Sequence, residues 1–171
     1  ELKAARPQQS QLVISMLIFG MAVGQLVFGP MADALGRKIT IQIGLLLFSF
    51  GSLLCLFSSS MEMMIIGRVI QGFGLAGPRI ASLALIRDKY QGEAMARVMS
   101  FIMMIFILVP MIAPLLGQAV LWLANWRGIF LFILAIGLLV SIWLGLRQEE
   151  TLLVEKRRAF TWKNLMAASG F

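Results

Sequence analysis

The 171-residue sequence contains no histidine and a single cysteine, Cys55. The first absence removes the imidazole ligands that zinc favours and any histidine-based nucleophile relay. The second removes a disulfide framework and any thiolate cluster, and Cys55 itself sits in the apolar run Leu53-Leu54-Cys55-Leu56-Phe57. No metal or organic cofactor is therefore expected. Charge is also scarce: 13% of residues are charged against 60% hydrophobic, and mean hydropathy is +0.90. A soluble helix needs one apolar stripe, whereas lipid demands apolar side chains all round a span of about 20 residues. The chain reads as an integral membrane protein, all-α in class. A net charge of +7 would point to nucleic acid in a soluble protein; here the basic residues have a topological role, and no nucleic-acid partner is expected.

Five apolar segments can be drawn, at 11–32, 39–58, 63–86, 97–121 and 128–146. Each is long enough to cross a hydrocarbon layer of about 30 Å at about 1.5 Å per residue. The connections are short, which predicts antiparallel neighbours in one bundle over 1–146. Lysine and arginine set the expected orientation. Arg37, Lys38, Arg87, Lys89, Arg97, Arg147, Lys156, Arg157, Arg158 and Lys163 fall on one side, against Lys3, Arg6 and Arg127 on the other. The richer side belongs in the cytoplasm, so residue 1 is expected outside and residue 171 inside. Trp122 and Trp126 then fall at the outer interface and Trp143 near the inner one.

Residues 147–171 differ in kind. Gln148-Glu149-Glu150 and Glu155-Lys156-Arg157-Arg158 are charge blocks with Leu152, Leu153, Phe160 and Trp162 between them. They read as a cytoplasmic linker able to form an interfacial amphipathic helix on anionic lipid. The sequence opens on Glu1 with no signal-peptide pattern, and apolarity returns at its end, so a preceding span and a following one are expected.

The third span carries two arginines. An arginine near the bilayer centre costs at least about 2.5–3.5 kcal/mol by insertion scales, so something must compensate it. Arg79 follows Arg68 by eleven positions, which returns it to within about 20° of the same helix face, about 16 Å further along the axis. Gln71, Gly72 and Ser82 fall on or beside that face, and the polar stripe is expected to look into the bundle. For Arg68 the competing reading is snorkelling to the outer interface. For Arg79, pairing with a carboxylate or backbone carbonyls competes with a substrate role. Gly72, Gly74 and Gly77 allow close helix approach, and Pro78 can kink the helix. Gln25 on the first span is either a cavity residue or an interhelical hydrogen-bonder, beside the close-packing pair Gly20 and Gly24.

Between the first two spans lies Gly29-Pro30-Met31-Ala32-Asp33-Ala34-Leu35-Gly36-Arg37-Lys38. A solvated hairpin whose basic pair marks the cytoplasmic side accounts for the composition, but requires no fixed spacing. The pattern Gly-x-x-x-Asp-x-x-Gly-Arg-Lys resembles the signature loop between helices two and three of major facilitator superfamily transporters, with Ala34 where a basic residue is common. Arg68-x-x-Gln71-Gly72-x-Gly74 resembles the fourth-helix motif of the same superfamily. Val109-Pro110-Met111-Ile112-Ala113-Pro114-Leu115-Leu116-Gly117-Gln118 is similar to a degenerate antiporter motif in which Val109, Ala113 and Gln118 replace three glycines. Its two prolines each remove a backbone donor, so this helix is expected to bend or loosen at Pro110, Pro114 and Gly117.

The resemblance covers nearly the whole chain, as helices two to six of a twelve-helix transporter, and is closest to bicyclomycin-resistance-type multidrug exporters. It implies a six-helix N-terminal half lacking its first member, with helix one and a C-terminal half as partners in the same polypeptide. It makes Arg68 a participant in proton or substrate coupling, and the polar face of the third span adds Gln71 and Arg79, with Gln25 of the first span, as candidates for the same substrate or proton pathway. It also places Gly29, Asp33, Gly36, Arg37, Lys38 and Asp88 in a gating charge cluster in which Asp88 accepts Arg37. Such a cluster is a latch; the plainer alternative is a surface ion pair worth under about 1 kcal/mol.

None of the five spans holds an interior Asp or Glu, and arginine effectively never loses its proton. The proton carrier is therefore expected in another span. The implied function is export of small amphipathic compounds across a bacterial-type inner membrane, driven by a proton gradient. A membrane enzyme would lack general acid and base groups here; a small channel or complex subunit is the other alternative.

Overall fold

The structure, a computed structural model, describes residues 7–152. They form five helices: α1 (Pro7–Leu35), α2 (Arg37–Leu56), α3 (Met61–Lys89), α4 (Gly92–Leu123) and α5 (Trp126–Arg147). All five are long and apolar enough to cross a membrane. Among the described residues there is no strand. Of the linker expected over 147–171, Arg147 closes α5 and the first charge block, Gln148 to Glu150, is described, whereas the second block and the rest of 153–171 lie outside the described residues, as do Lys3 and Arg6.

The helices are longer than most of the apolar runs, because backbone hydrogen bonding continues into polar residues at each end. α3 takes in Arg87, Asp88 and Lys89, and α4 starts at Gly92 rather than near residue 97. α2 differs the other way and ends at Leu56 instead of 58. The Phe57 N–H turns back to the Cys55 and Leu53 carbonyls, and the Ser58 hydroxyl donates to the Cys55 carbonyl at 2.8 Å, which gives two of the last carbonyls of the helix their partners. Ser60 then caps α3, accepting from the Met63 N–H at 3.2 Å, with Glu62 in the first turn and Arg87 and Lys89 in the last, each sign matching the helix dipole.

The polar turn between the first two spans shrinks to one residue. Asp33 is still in α1 and Arg37 already in α2, so Gly36 alone reverses the chain, at φ +106°. That angle is open to glycine and strained for any side chain.

α3 is the centre of the bundle, packed between α1 and α2, while α5 leans on α2. Glycines make the seams. A Cβ on Gly20 would fall on the Val69 carbonyl and one on Gly72 on the Leu17 carbonyl, so α1 and α3 are in backbone contact. Across the other seam, a Cβ on Gly44 would lie 2.7 Å from the Gly74 carbonyl. Where lipid is as apolar as leucine, such close approach, with the dispersion it brings, is what drives helices together. Two apolar clusters hold the ends of the bundle: Ala32, Ile41, Leu45 and Ala81 near the Gly36 turn, and Cys55, Met64 and Phe130 at the far end. α4 buries no residue.

Candidate functional site

The turn around Gly36 brings three charged side chains together. Asp33 lies in the last turn of α1, Arg37 opens α2, and Asp88 lies in the last turn of α3. The Arg37 guanidinium donates through Nη1 to Asp33 Oδ1 at 2.6 Å and through Nε to Asp88 Oδ2 at 3.1 Å. One cation thereby ties the ends of three helices. Arg37 is 9% exposed, whereas the side chains of Asp33 and Asp88 keep 48% and 31% of their surface open. The acids are open to water while the arginine is largely withdrawn from it. By contrast, the Glu93–Arg97 pair on α4 spans 3.7 Å with both partners in solvent, a geometry worth little.

The two motif glycines differ. Gly36 is required by its backbone angle; beside Gly29 a Cβ would meet nothing within 4 Å. Lys38 joins through its backbone: its N–H donates to Glu150 Oε2 at 3.1 Å, and the Arg37 N–H donates to Glu150 Oε1 at 2.9 Å. Sequence reasoning missed Glu150, reading it as one charge in a linker. A signal was present at the receiving end. α2 begins Gly-Arg-Lys, with no acid in its first turn and no side-chain cap, so its free N–H groups needed an acceptor from elsewhere.

The two membrane arginines do not share one setting. Arg68 Nη1 donates to Gln71 Oε1 at 3.2 Å, and Gln71 Nε2 donates to Ser52 Oγ at 2.8 Å. The Ser52 hydroxyl in turn donates to the Phe48 carbonyl on α2 at 2.8 Å. The guanidinium also lies over the Phe130 ring of α5, 4.7 Å from its centre, and its Nε is buried without a partner. Gln71 is 1% exposed, so this chain of donors runs through the seam between α3 and α2. Ser52 and Phe130 were not foreseen: a serine in an apolar helix and one phenylalanine among twelve carry no distinguishing local signal.

Arg79 is exposed, and its Nη1 donates to the Met21 sulfur at 3.6 Å. It borders a cavity of about 590 Å³ between α1, α3 and α4, walled by Pro78, Ser82, Ile86 and Phe106. Gln25 is exposed on α1 and, among the described residues, makes no hydrogen bond. Pro110 and Pro114 are exposed, and α4 runs through both as one uninterrupted helix with open space beside Gly117. Among the described residues, no three His, Cys, Asp or Glu side chains come together as metal ligands.

Residues 3–169 match the family model of the Major Facilitator Superfamily. The chain belongs to the major facilitator superfamily. Relatives include an uncharacterized MFS-type transporter, YdgK, of Bacillus subtilis, 36% identical over 149 residues that make up 86% of this chain and 37% of that protein. A bicyclomycin resistance protein homolog of Haemophilus influenzae is 35% identical over 135 residues, 79% of this chain and 34% of the relative. The multidrug resistance protein MdtL of Salmonella paratyphi B is 32% identical over 138 residues, 81% and 35% of the two chains. The chain thus spans about a third of the length of the curated relatives it matches. As a member of the superfamily with five membrane-spanning helices, it is a multi-pass membrane protein.

Proposed function

We propose that this bundle works as part of a proton-coupled carrier that exports small amphipathic molecules, multidrug substrates among them, by alternating access across a bacterial-type inner membrane. The observation that carries this reading is the Arg37 bridge. A guanidinium withdrawn from water and shared by two partly solvated acids at the ends of α1 and α3 makes a latch: it holds while those ends are together and opens when they part. The names of two relatives, a bicyclomycin resistance protein homolog and a multidrug resistance protein, support the substrate class. Their greater length supports a whole carrier in which this bundle rocks against further helices.

In this reading the cluster faces the cytoplasm with the other basic residues, and Glu1 lies outside. Arg68 and Gln71 sit on the pathway through the bundle, Arg79 and Gln25 at the cavity and on α1, and the Pro110, Pro114 and Gly117 stretch lets α4 bend. Protons are the driving ion and no cofactor takes part. Because α1 to α5 carry no interior acid, the group that gains and loses the proton lies in another span.

The test is efflux from membrane vesicles holding the full-length protein. Several dyes and drugs are followed with and without a proton gradient. Gradient-dependent export that falls at least about fivefold in Arg37→Ala supports the reading, the size expected when a coupling of about 1–3 kcal/mol is lost. Passive flux that ignores both the gradient and the substitution favours a channel or complex subunit instead.

A further inference from the structure

We propose that Glu150 is a positioning residue of the latch: the segment following α5 straps the Arg37 backbone in place, so that α5 and its continuation move with the cluster. The inference rests on reading the Arg37 cluster as a latch, and it starts from a debt at the beginning of α2. That helix opens on Gly36, Arg37 and Lys38, whose N–H groups have no acceptor within the helix and whose two cations stand at its positive end. The Glu150 carboxylate, 113 residues from Arg37, fills the gap. Its Oε1 accepts from the Arg37 N–H at 2.9 Å and the Leu152 N–H at 3.1 Å, and its Oε2 accepts from the Lys38 N–H at 3.1 Å.

Gly36 is matched to this contact as well as to the turn. A Cβ there would fall on the Glu150 carboxylate, with Cδ at 2.7 Å. A second clamp ties the same two helices further into the bundle. The Ser141 hydroxyl donates to Gln42 Oε1 at 2.7 Å, and Gln42 Nε2 donates back to the Ser141 carbonyl at 2.8 Å. α5 is thus held to α2 along its last turns, and Glu150 reaches the one residue whose side chain bridges Asp33 and Asp88. With its main chain held by α5's continuation and its side chain by α1 and α3, Arg37 joins four helices. Loss of the strap frees the Arg37 backbone and weakens the bridge without removing any member of it.

A cap that only stabilised α2 would change how much protein folds; a positioning residue changes how the folded protein divides between its states. The experiment uses the full-length protein in liposomes with Cys55 and every other native cysteine replaced by serine, and Ser82→Cys as a reporter in the cavity between α1, α3 and α4. Maleimide labelling is timed from the side that carries the cluster and normalised to reconstituted protein. Arg37→Ala tests the latch and Glu150→Ala tests the strap. Both are expected to speed labelling several-fold, and the double variant to match Arg37→Ala alone. Glu150→Gln, which keeps an acceptor but not the charge, is expected to lie between. Glu150→Gln decides the matter should Glu150→Ala fail to reach the membrane, since Gly36→Ala would strain the turn itself at φ +106°. Unchanged labelling in Glu150→Ala, or in Glu150→Gln where Glu150→Ala is not recovered, beside faster labelling in Arg37→Ala overturns the strap, and so does strict additivity in the double variant. Unchanged labelling in Arg37→Ala overturns the latch beneath it.

Discussion

α3 is the least apolar of the five helices and carries most of the packing, while α4, among the most apolar, buries nothing. α3 presents Gly67, Gly72, Gly74 and Gly77 to its neighbours; at the first three a Cβ would collide with an adjoining helix, and at Gly77 it would press on Gly44 and Phe28 at 3.0 Å. α4 presents Phe101, Met103, Ile107 and Leu115, all exposed, and its Gly117 faces open space. The contrast shows that greasiness fits a helix to lipid but does not fasten it to another helix, since lipid tails compete equally for the same side chains. What fastens α3 is shape and a few polar bonds that lipid cannot offer.

The largest effect that would test this contrast is expected from Gly72→Ala. Its methyl group must displace the Leu17 carbonyl, which no side-chain rotation can relieve, so α1 and α3 have to separate. Unfolding in mild detergent is expected to cost about 1–3 kcal/mol less than for the unaltered protein, the usual range for overpacking. An unchanged midpoint would mean the seam is looser than a backbone contact.

Gln71→Ala comes next. It leaves Ser52 and Arg68 each short of a partner across the α3–α2 seam, at a loss of about 1 kcal/mol on the same measurement, between the average for interhelical bonds in membranes and that for buried orphaned groups. Gln71→Glu should recover the bond to Arg68, and a Gln71→Ala variant as stable as the parent would assign the chain no structural role.

The smallest effect is expected on the other side of the comparison. Leu115→Ala on α4 removes an exposed side chain and should change stability by less than about 0.5 kcal/mol. A loss of about 2 kcal/mol or more in the full-length protein would show that another element covers α4 there, and would turn the contrast into one between two kinds of buried helix.

Much of this bundle was legible from the order of residues alone. The number of helices follows from apolar run length, because a span has to match the hydrocarbon thickness. Asp33 and Arg37 are one turn apart in a tight reversal, so their pairing is nearly local; Asp88 joins them because short connections fold α3 back beside α2. The arginine stripe was only half legible. Helical period places Arg68 and Arg79 on one face of α3, but it does not say which neighbour stands against each part of that face. Arg68 meets Gln71 and Phe130, and Arg79 meets a cavity wall. The motif glycines divide in the same way: the φ of Gly36 follows from a one-residue turn, whereas nothing within the described residues accounts for Gly29.

By itself the sequence determined membrane residence, five spans and the makings of a charge cluster, since hydropathy, span length and near-neighbour charge all act along the chain. Only the tertiary structure decided that α3 is the hub, that α4 packs against little, and that Glu150 closes the start of α2 from more than a hundred residues away. Those outcomes depend on which surfaces meet in space, and a helix end will accept a carboxylate from any distance along the chain once the fold brings it within reach.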